Sequence, residues 1–310
     1  MIDFKEYIPV AQKIREAVLP LLDSGLGKEM TGIASSGDTT FRMDEIAERV
    51  LSEELKSRNL PVAYYSEDRG LVEVHREPKY LLIVDPVDGT RPAVCGFEMA
   101  VVSMAIAAFR KKPTFSDLLA GIIVEIKSGD VFFADKLSGT LTFPQGKRLN
   151  LSENTDLTRL YWSFDVVGRP VRPLMAALGD LIQGSAVNGG CFLWNSAAYS
   201  ITRILLGQLD AYLDPGGKLM AELDQAELRF REAGRGRIVG LFPYDIAAAQ
   251  LIARQGGVIV TDAGGHSLKN VPLIPQKEGE ILSLVASAGP VLHEKLLFYL
   301  GRHPVKKTCF

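Results

Sequence analysis

Residues 81–90 read LLIVDPVDGT, and no other stretch narrows the fold as much. Four aliphatic residues in a row suit a strand covered on both faces. Pro86 then withholds a backbone amide and Gly89 frees the backbone to turn, so the strand is expected to end at Asp85. Such a turn carries Asp85 and Asp88 to one side of the strand's carboxyl end, where open sheets commonly bind ligands. Two carboxylates crowded in a dry site repel each other unless a cation lies between them, and a hard divalent ion is the natural partner. A solvated turn with two ordinary acids fits these ten residues as well.

The rest of the composition removes other classes of function. The chain has 310 residues, 47% hydrophobic and 23% charged, enough for one large domain or two intimate ones. A formal net charge of -2 gives no basic field for nucleic acid or anionic lipid. The longest uncharged apolar run, Met99 to Phe109, is too short to span a bilayer. The first residues, MIDFKEYIPV, lack a basic-then-apolar leader, so a cytoplasmic protein with no membrane or nucleic-acid partner is expected. Cys95, Cys191 and Cys309 form no CxxC pair, and His75, His266, His293 and His303 are scattered. A zinc site is therefore not expected, and any metal must be held by carboxylates.

Apolar periodicity predicts helices over 5–22 and 43–58 and short strands at 62–66, 80–84, 100–109, 119–126, 131–134, 141–143 and 160–164. Turns GD and SG between the later strands predict an antiparallel meander. The second half predicts a helix at 195–206, strands at 209–213, 237–242, 257–262 and 282–287, a charged helix at 218–233, and helices at 244–255 and 291–300. The pattern is α+β in layers. A polar, turn-rich stretch at 144–158 suggests two domains, 1–150 carrying most of the candidate ligands and 151–310 carrying the last one.

Four more acids share the setting of Asp85. Glu67 and Asp68 end VAYYSED, Asp245 opens the helix of PYDIAAAQLIARQGG, and Asp44 opens that of TTFRMDEIAE. Taken singly, the first pair is a loop and the others are helix-capping carboxylates. Taken together with DPVDGT and NSAAYSITRILLGQLDAYLD, in this order over residues 5 to about 300, they resemble the inositol monophosphatase-like phosphatases. That family includes archaeal-type fructose-1,6-bisphosphatases and 3′-phosphoadenosine nucleotide phosphatases.

The resemblance implies an αβαβα sandwich of the sugar-phosphatase type and a homodimer. It implies a Mg2+-dependent phosphomonoesterase (a hydrolase of small sugar or polyol phosphates) working by metal-activated water with two or three ions. By the same resemblance Glu67, Asp85, the Val87 carbonyl, Asp88 and Asp245 hold metal. Thr90, with Asp44 or Glu67, orients the attacking water. Gly89 and Thr90 cradle phosphate, while Asn195, Ser196, Ala197 and Asp214 line the substrate side. An adenosine 3′,5′-bisphosphate phosphatase and a non-catalytic metal- or anion-binding relative are the alternatives. A covalent aspartyl mechanism is disfavoured, because DPVD spaces its acids as D-x-x-D rather than D-x-D.

The chain also leaves the family pattern. Arg91-Pro92 follow Thr90, Tyr244 replaces a tryptophan, and residues 215–240 form an insertion between Asp214 and Asp245. Arg91 either touches phosphate or points to solvent. The insertion is either a solvated charged helix or a lid with Arg235 or Arg237 reaching an anion.

Overall fold

The computed structural model describes residues 3–302 except 23, 25, 36 and 278; His303 and Cys309 lie outside the described residues. In chain order, α1 (Ile8–Val18) precedes the hairpin β1 (Met30–Ile33) and β2 (Thr39–Phe41), then α2 (Arg42–Ser57). β3 (Val62–Ser66), β4 (Gly70–Glu73) and β5 (Tyr80–Asp88) lead to the short α3 (Thr90–Val94). β6 (Val101–Ala108), β7 (Leu118–Glu125), β8 (Val131–Asp135) and β9 (Thr140–Thr142) follow as the expected antiparallel meander.

The second half runs β10 (Tyr161–Phe164), α4 (Val171–Ser185), β11 (Gly190–Phe192), α5 (Ala197–Leu205) and β12 (Ala211–Asp214). It continues through α6 (Gly216–Glu222), α7 (Ala226–Ala233), α8 (Pro243–Gln255), β13 (Ile259–Thr261), β14 (Leu284–Ser287) and α9 (Pro290–Arg302).

Two sheets organise these elements. A seven-stranded sheet has the order β4-β3-β5-β6-β7-β8-β9, and a five-stranded sheet has the order β11-β10-β12-β14-β13. α1 and α2 cover one face of the larger sheet, while α5 and α8 fill the space between the sheets. α4 and α9 pack with the smaller sheet, joined where the Leu181 amide donates to the Tyr299 hydroxyl at 3.0 Å. The layer order is αβαβα, as the family resemblance implies.

β5 explains its own sequence. Leu82 and Val84 enter the core under α1 and α2, whereas Leu81 and Ile83 enter the core shared with α8. Both faces are dry, so the run needs no polar alternation. On the next strands the small Gly121 lets α8 approach: a Cβ there would stand 2.8 Å from the Ala248 carbonyl oxygen.

Several expectations are corrected. β5 does not stop at Asp85 but continues to Asp88. Asp85 pairs with Ser103 and Asp88 with Val101, so β5 carries one extra residue there, a β-bulge. On a regular strand, residues three apart face opposite sides; the extra residue turns both acids to one side. The helix expected at 218–233 is two helices, broken at Gln225, whose φ is +53°. Residues 237–242 form no strand, only bridges from Arg237 to Gly234 and from Leu241 to Leu282. α4 was not expected, because Pro173, Gly179 and Gly184 obscure its apolar face; Pro173 falls in the first turn, where no amide partner is needed.

Candidate active site

The five acids arrive from strand ends and helix starts. Glu67 follows β3 directly, and Asp85 and Asp88 flank the bulge of β5. Asp44 and Asp245 both sit at the third position of a helix, α2 and α8. Each caps its helix with one oxygen: Asp44 Oδ2 accepts from the Phe41 amide at 2.8 Å, and Asp245 Oδ2 from the Phe242 amide at 2.6 Å. The capping reading of these two residues therefore holds, and each keeps a second oxygen for other use. Asp44 Oδ1 lies 3.0 Å from the Thr90 hydroxyl, which also lies 2.9 Å from the Val87 carbonyl oxygen.

Asp88 is held rigidly. Its Oδ2 accepts from the Ser196 hydroxyl at 2.8 Å and from the Ala198 amide at 2.7 Å, at the start of α5. Asp85 Oδ1 accepts from the Val87 amide at 2.9 Å. Gly89 passes between these parts with φ +92°, and a Cβ there would meet the Met99 carbonyl oxygen at 2.4 Å.

The result is one pocket lined by Asp44, Glu67, Asp85, Val87, Asp88, Gly89, Thr90 and Asp245. Asp85, Asp88 and Asp245 each offer an oxygen, all within 4.8 Å of one another. Among the described residues none of these three is ion-paired with a lysine, arginine or histidine. Burial raises the pKa of every one. At Asp85 the Glu67, Asp88 and Asp245 charges raise it further, and Asp88 is pushed up to about 7. Glu67 is raised by burial and then by Asp38, Asp245 and Asp44; Asp44 is raised to about 7, mainly by burial. Asp85, Asp88 and Asp245, a set of buried, crowded oxygen donors without an ion pair among the described residues, suit a hard divalent cation.

Two arginines line the same pocket. Arg91 forms a two-pronged pair with Asp38 at 3.0 and 2.7 Å, tying the β1–β2 connection to α3. It lies at the pocket rather than pointing into solvent. Arg169, 4% exposed, donates to Asp214 and to the Val167 carbonyl oxygen. Beside it Asp165 accepts from the Tyr212 hydroxyl at 2.8 Å and is raised to about 6 by burial, against the pull of Arg169.

Of the expected substrate-side residues, Asn195 and Ala197 line the pocket. Ser196 and Asp214 do not: both are 0% exposed, and they are spent on Asp88 and Arg169 respectively. Asp38, Asp165 and Arg169 were missed. Asp165 had a legible signal, since it follows β10 just as Glu67 follows β3. Arg169 and Asp38 had none, because their partners are 45 and 53 positions away.

The insertion is anchored, not merely solvated. Leu219 and Phe230 are buried while Glu222, Asp224, Glu227 and Glu232 face outward. Arg235 and Arg237 are exposed and do not line the pocket; Val239 to Phe242, just beyond them, do.

Comparisons with known proteins bear on this arrangement. The profile of the inositol monophosphatase family matches residues 3–303. A fructose-1,6-bisphosphatase/inositol-1-monophosphatase of Methanothermobacter thermautotrophicus is 26% identical over 94% of this chain and 93% of its own length. A bifunctional NADP phosphatase/NAD kinase of Methanocaldococcus jannaschii is 25% identical over 98% of the chain, which spans 51% of that relative. Among solved structures, the extragenic suppressor protein SuhB of Bartonella henselae superposes with a TM-score of 0.70 at 19% identity, over 94% of this chain and 96% of that one. At these identities the structures speak for the fold alone.

Proposed function

Because the chain belongs to the inositol monophosphatase family, we propose that it is a magnesium-dependent phosphomonoesterase acting on a small sugar or polyol phosphate. The observation that carries this reading is the trio Asp85, Asp88 and Asp245, three carboxylates within 4.8 Å and without a basic partner. We take Glu67, Asp85, the Val87 carbonyl, Asp88 and Asp245 as the groups that would hold two or three magnesium ions. Bound there, the ions would supply positive charge for the phosphoryl oxygens and acidify the attacking water.

The chain's own groups divide the remaining work. Thr90 has one hydroxyl proton and two acceptors, Asp44 Oδ1 and the Val87 carbonyl. That proton is shared between the two, which leaves the oxygen with a lone pair to accept from a water and orient it; Asp44 or Glu67 would take that water's proton. The left-handed backbone at Gly89 brings the chain close to the phosphate without a side chain in the way. Ser196 and the Ala198 amide fix the Asp88 rotamer, which keeps the site preorganised. Arg91 supplies a positive rim.

We also take the protein as a cytoplasmic homodimer, with residues 1–150 and 151–310 as two domains. Among the described residues no helix is long and apolar enough to cross a membrane. Phosphate release would be measured from inositol 1-phosphate, fructose 1,6-bisphosphate, glycerol phosphate, adenosine 3′,5′-bisphosphate and NADP, with magnesium or with EDTA. NADP is included because one relative is named an NADP phosphatase. Magnesium-dependent release from a sugar or polyol phosphate is expected. No release from any of them sinks the reading and leaves the non-catalytic alternative.

A further inference from the structure

Glu67 reaches the pocket from the turn that joins β3 to β4, and that turn is gripped from two sides. On one side the β1–β2 hairpin holds it. The Ser35 hydroxyl donates to the Glu67 carbonyl at 2.5 Å, the Ser35 amide to the Asp68 carbonyl at 3.2 Å, and the Thr40 hydroxyl to Asp68 Oδ1 at 2.6 Å. On the other side lies a groove against α2, lined in part by Glu48, Asp68 and Arg69; Asp68 borders both this groove and the metal pocket. Glu48 is 1% exposed, and neither of its oxygens makes a hydrogen bond of ordinary geometry within the protein. The buried hydroxyls of Ser66 and Tyr64 are unmet as well. Burial, then the Asp68 charge, raises the Glu48 carboxyl to about 7, while the Ser66 hydroxyl, the Arg69 guanidinium and the Asp68 amide stand near enough to favour its charge.

A carboxylate is a costly choice for that position. Tyr64, which precedes Ser66 by two on β3, belongs to the apolar core under α1 and α2, so an aliphatic side chain at 48 would be buried without penalty. An ion pair does not explain the acid either. Arg69 Nε lies 3.8 Å from Glu48 Oε2 and its side chain is 45% exposed, so water screens most of the attraction. What the acid does gain is the turn: residues 66, 68 and 69 each turn a donor toward it, while Glu67 between them is aimed into the metal pocket. Asp44, which holds Thr90, stands one helical turn before Glu48 on the same face of α2. Resting on the phosphatase reading above, we infer that Glu48 is a positioning residue: from behind the turn it gathers Ser66, the Asp68 amide and Arg69, and so fixes how Glu67 meets the magnesium ions and the Asp44–Thr90 pair. One face of α2 then aligns both the water-orienting pair and the metal-holding turn.

The test titrates the protein with magnesium alone and follows the rise in Tm, beside phosphate release from the best substrate of the panel above. Glu48→Met fills similar space but offers the turn no acceptor. Its magnesium concentration for half-maximal rise in Tm is expected to increase ~10- to 100-fold, as when a group that orients a metal ligand is removed. The magnesium requirement for phosphate release should increase in parallel, with a smaller fall in kcat at saturating metal. Glu48→Gln still offers an oxygen to Ser66 and the Asp68 amide, so it should return to within several-fold of wild type, a rescue that a purely structural role does not produce. Ser66→Ala removes one of the gathered groups, and an increase of several-fold is expected; should Glu48→Met fail to fold, Ser66→Ala decides. An unchanged magnesium midpoint overturns the inference, even where the metal-free Tm falls, and leaves the phosphatase standing. Glu48→Gln as impaired as Glu48→Met overturns it too, by assigning the effect to charge rather than to the held turn. If magnesium neither raises the wild-type Tm nor supports phosphate release, the phosphatase reading itself falls and the positioning role with it.

Discussion

Two regions of this molecule bury carboxylates in opposite ways. At the pocket, Asp85, Asp88 and Asp245 crowd together with no ion pair among the described residues, and burial, helped by neighbouring carboxylate charges, raises all their pKa values. Where α5 meets β7, Glu125 is as deeply buried but is answered by Arg203, with Ser128 at 2.7 Å on its other oxygen. That arginine is itself sandwiched by aromatic rings, 4.3 Å from Tyr199 and 5.7 Å from Phe132. One region is complete as folded; the other is complete only with a charge from outside. An acid cluster is thus informative when its compensation is missing, not because it is acidic.

Removing one carboxylate from each region should therefore do opposite things. Asp85→Asn is expected to lower magnesium-dependent phosphate release by at least ~10³-fold, as for loss of a group acting mainly on the transition state. The metal-free protein should lose no stability, because a repulsion has been relieved. Magnesium at ~100 times its dissociation constant should stabilise the wild type by about 2.7 kcal/mol, and the variant much less. Retained activity, or an equal magnesium-induced rise in Tm for both proteins, would remove Asp85 from the metal site.

In the compensated region the arginine carries the stability. Arg203→Met leaves Glu125 buried and unanswered, at an expected cost of about 3–5 kcal/mol in urea unfolding. Adding Glu125→Met should recover most of the loss, since two apolar side chains need no compensation. A single-variant cost below about 1 kcal/mol would mean that solvent reaches Glu125.

His293 shows a third solution, burial without charge. Its ring nitrogens lie 2.9 Å from the Ser287 and Thr261 hydroxyls, and burial lowers its pKa to about 4, against an ordinary 6.5. The folded state therefore disfavours the protonated ring. The stabilisation is whole above pH 6.5 and is lost as pH falls from 6.5 toward 4, by at most about 3 kcal/mol. Urea midpoints at pH 7.5 and 5 should fall further for the wild type than for His293→Gln. Parallel falls would place the imidazole in contact with water.

The sequence exposed these regions unequally, for physical reasons. The layered fold and most strands are local in origin: an apolar run such as 80–84 declares a strand whatever surrounds it. The acids of the pocket stood out because each closely follows an apolar run or begins a helix. The bulge in β5 did not stand out, although it is what turns Asp85 and Asp88 to one side. It depends on pairing with β6, which no window around DPVDGT contains. The partners of Arg169 and Arg91 were hidden for the same reason. Residues 237–242 show the converse: they have strand-like composition but no neighbour to pair with along their length, so they line the pocket as irregular chain.

Arg91 offers the mildest and most discriminating change. Its pair with Asp38 is at the pocket rim, with the arginine side chain 37% exposed, so water screens it. Arg91→Met should therefore change stability by no more than about 1 kcal/mol. The same guanidinium stands in the field of Glu67 and Asp44, whose charges favour it. It thus competes with any cation those acids would hold. Removing it should lower the magnesium concentration for half-maximal thermal stabilisation by a few-fold, while KM for a phosphate ester rises as a positive rim is lost. If magnesium binding weakens instead, Arg91 is organising the acids through Asp38 rather than competing for them, and the pocket would then share some of the internal compensation seen around Glu125.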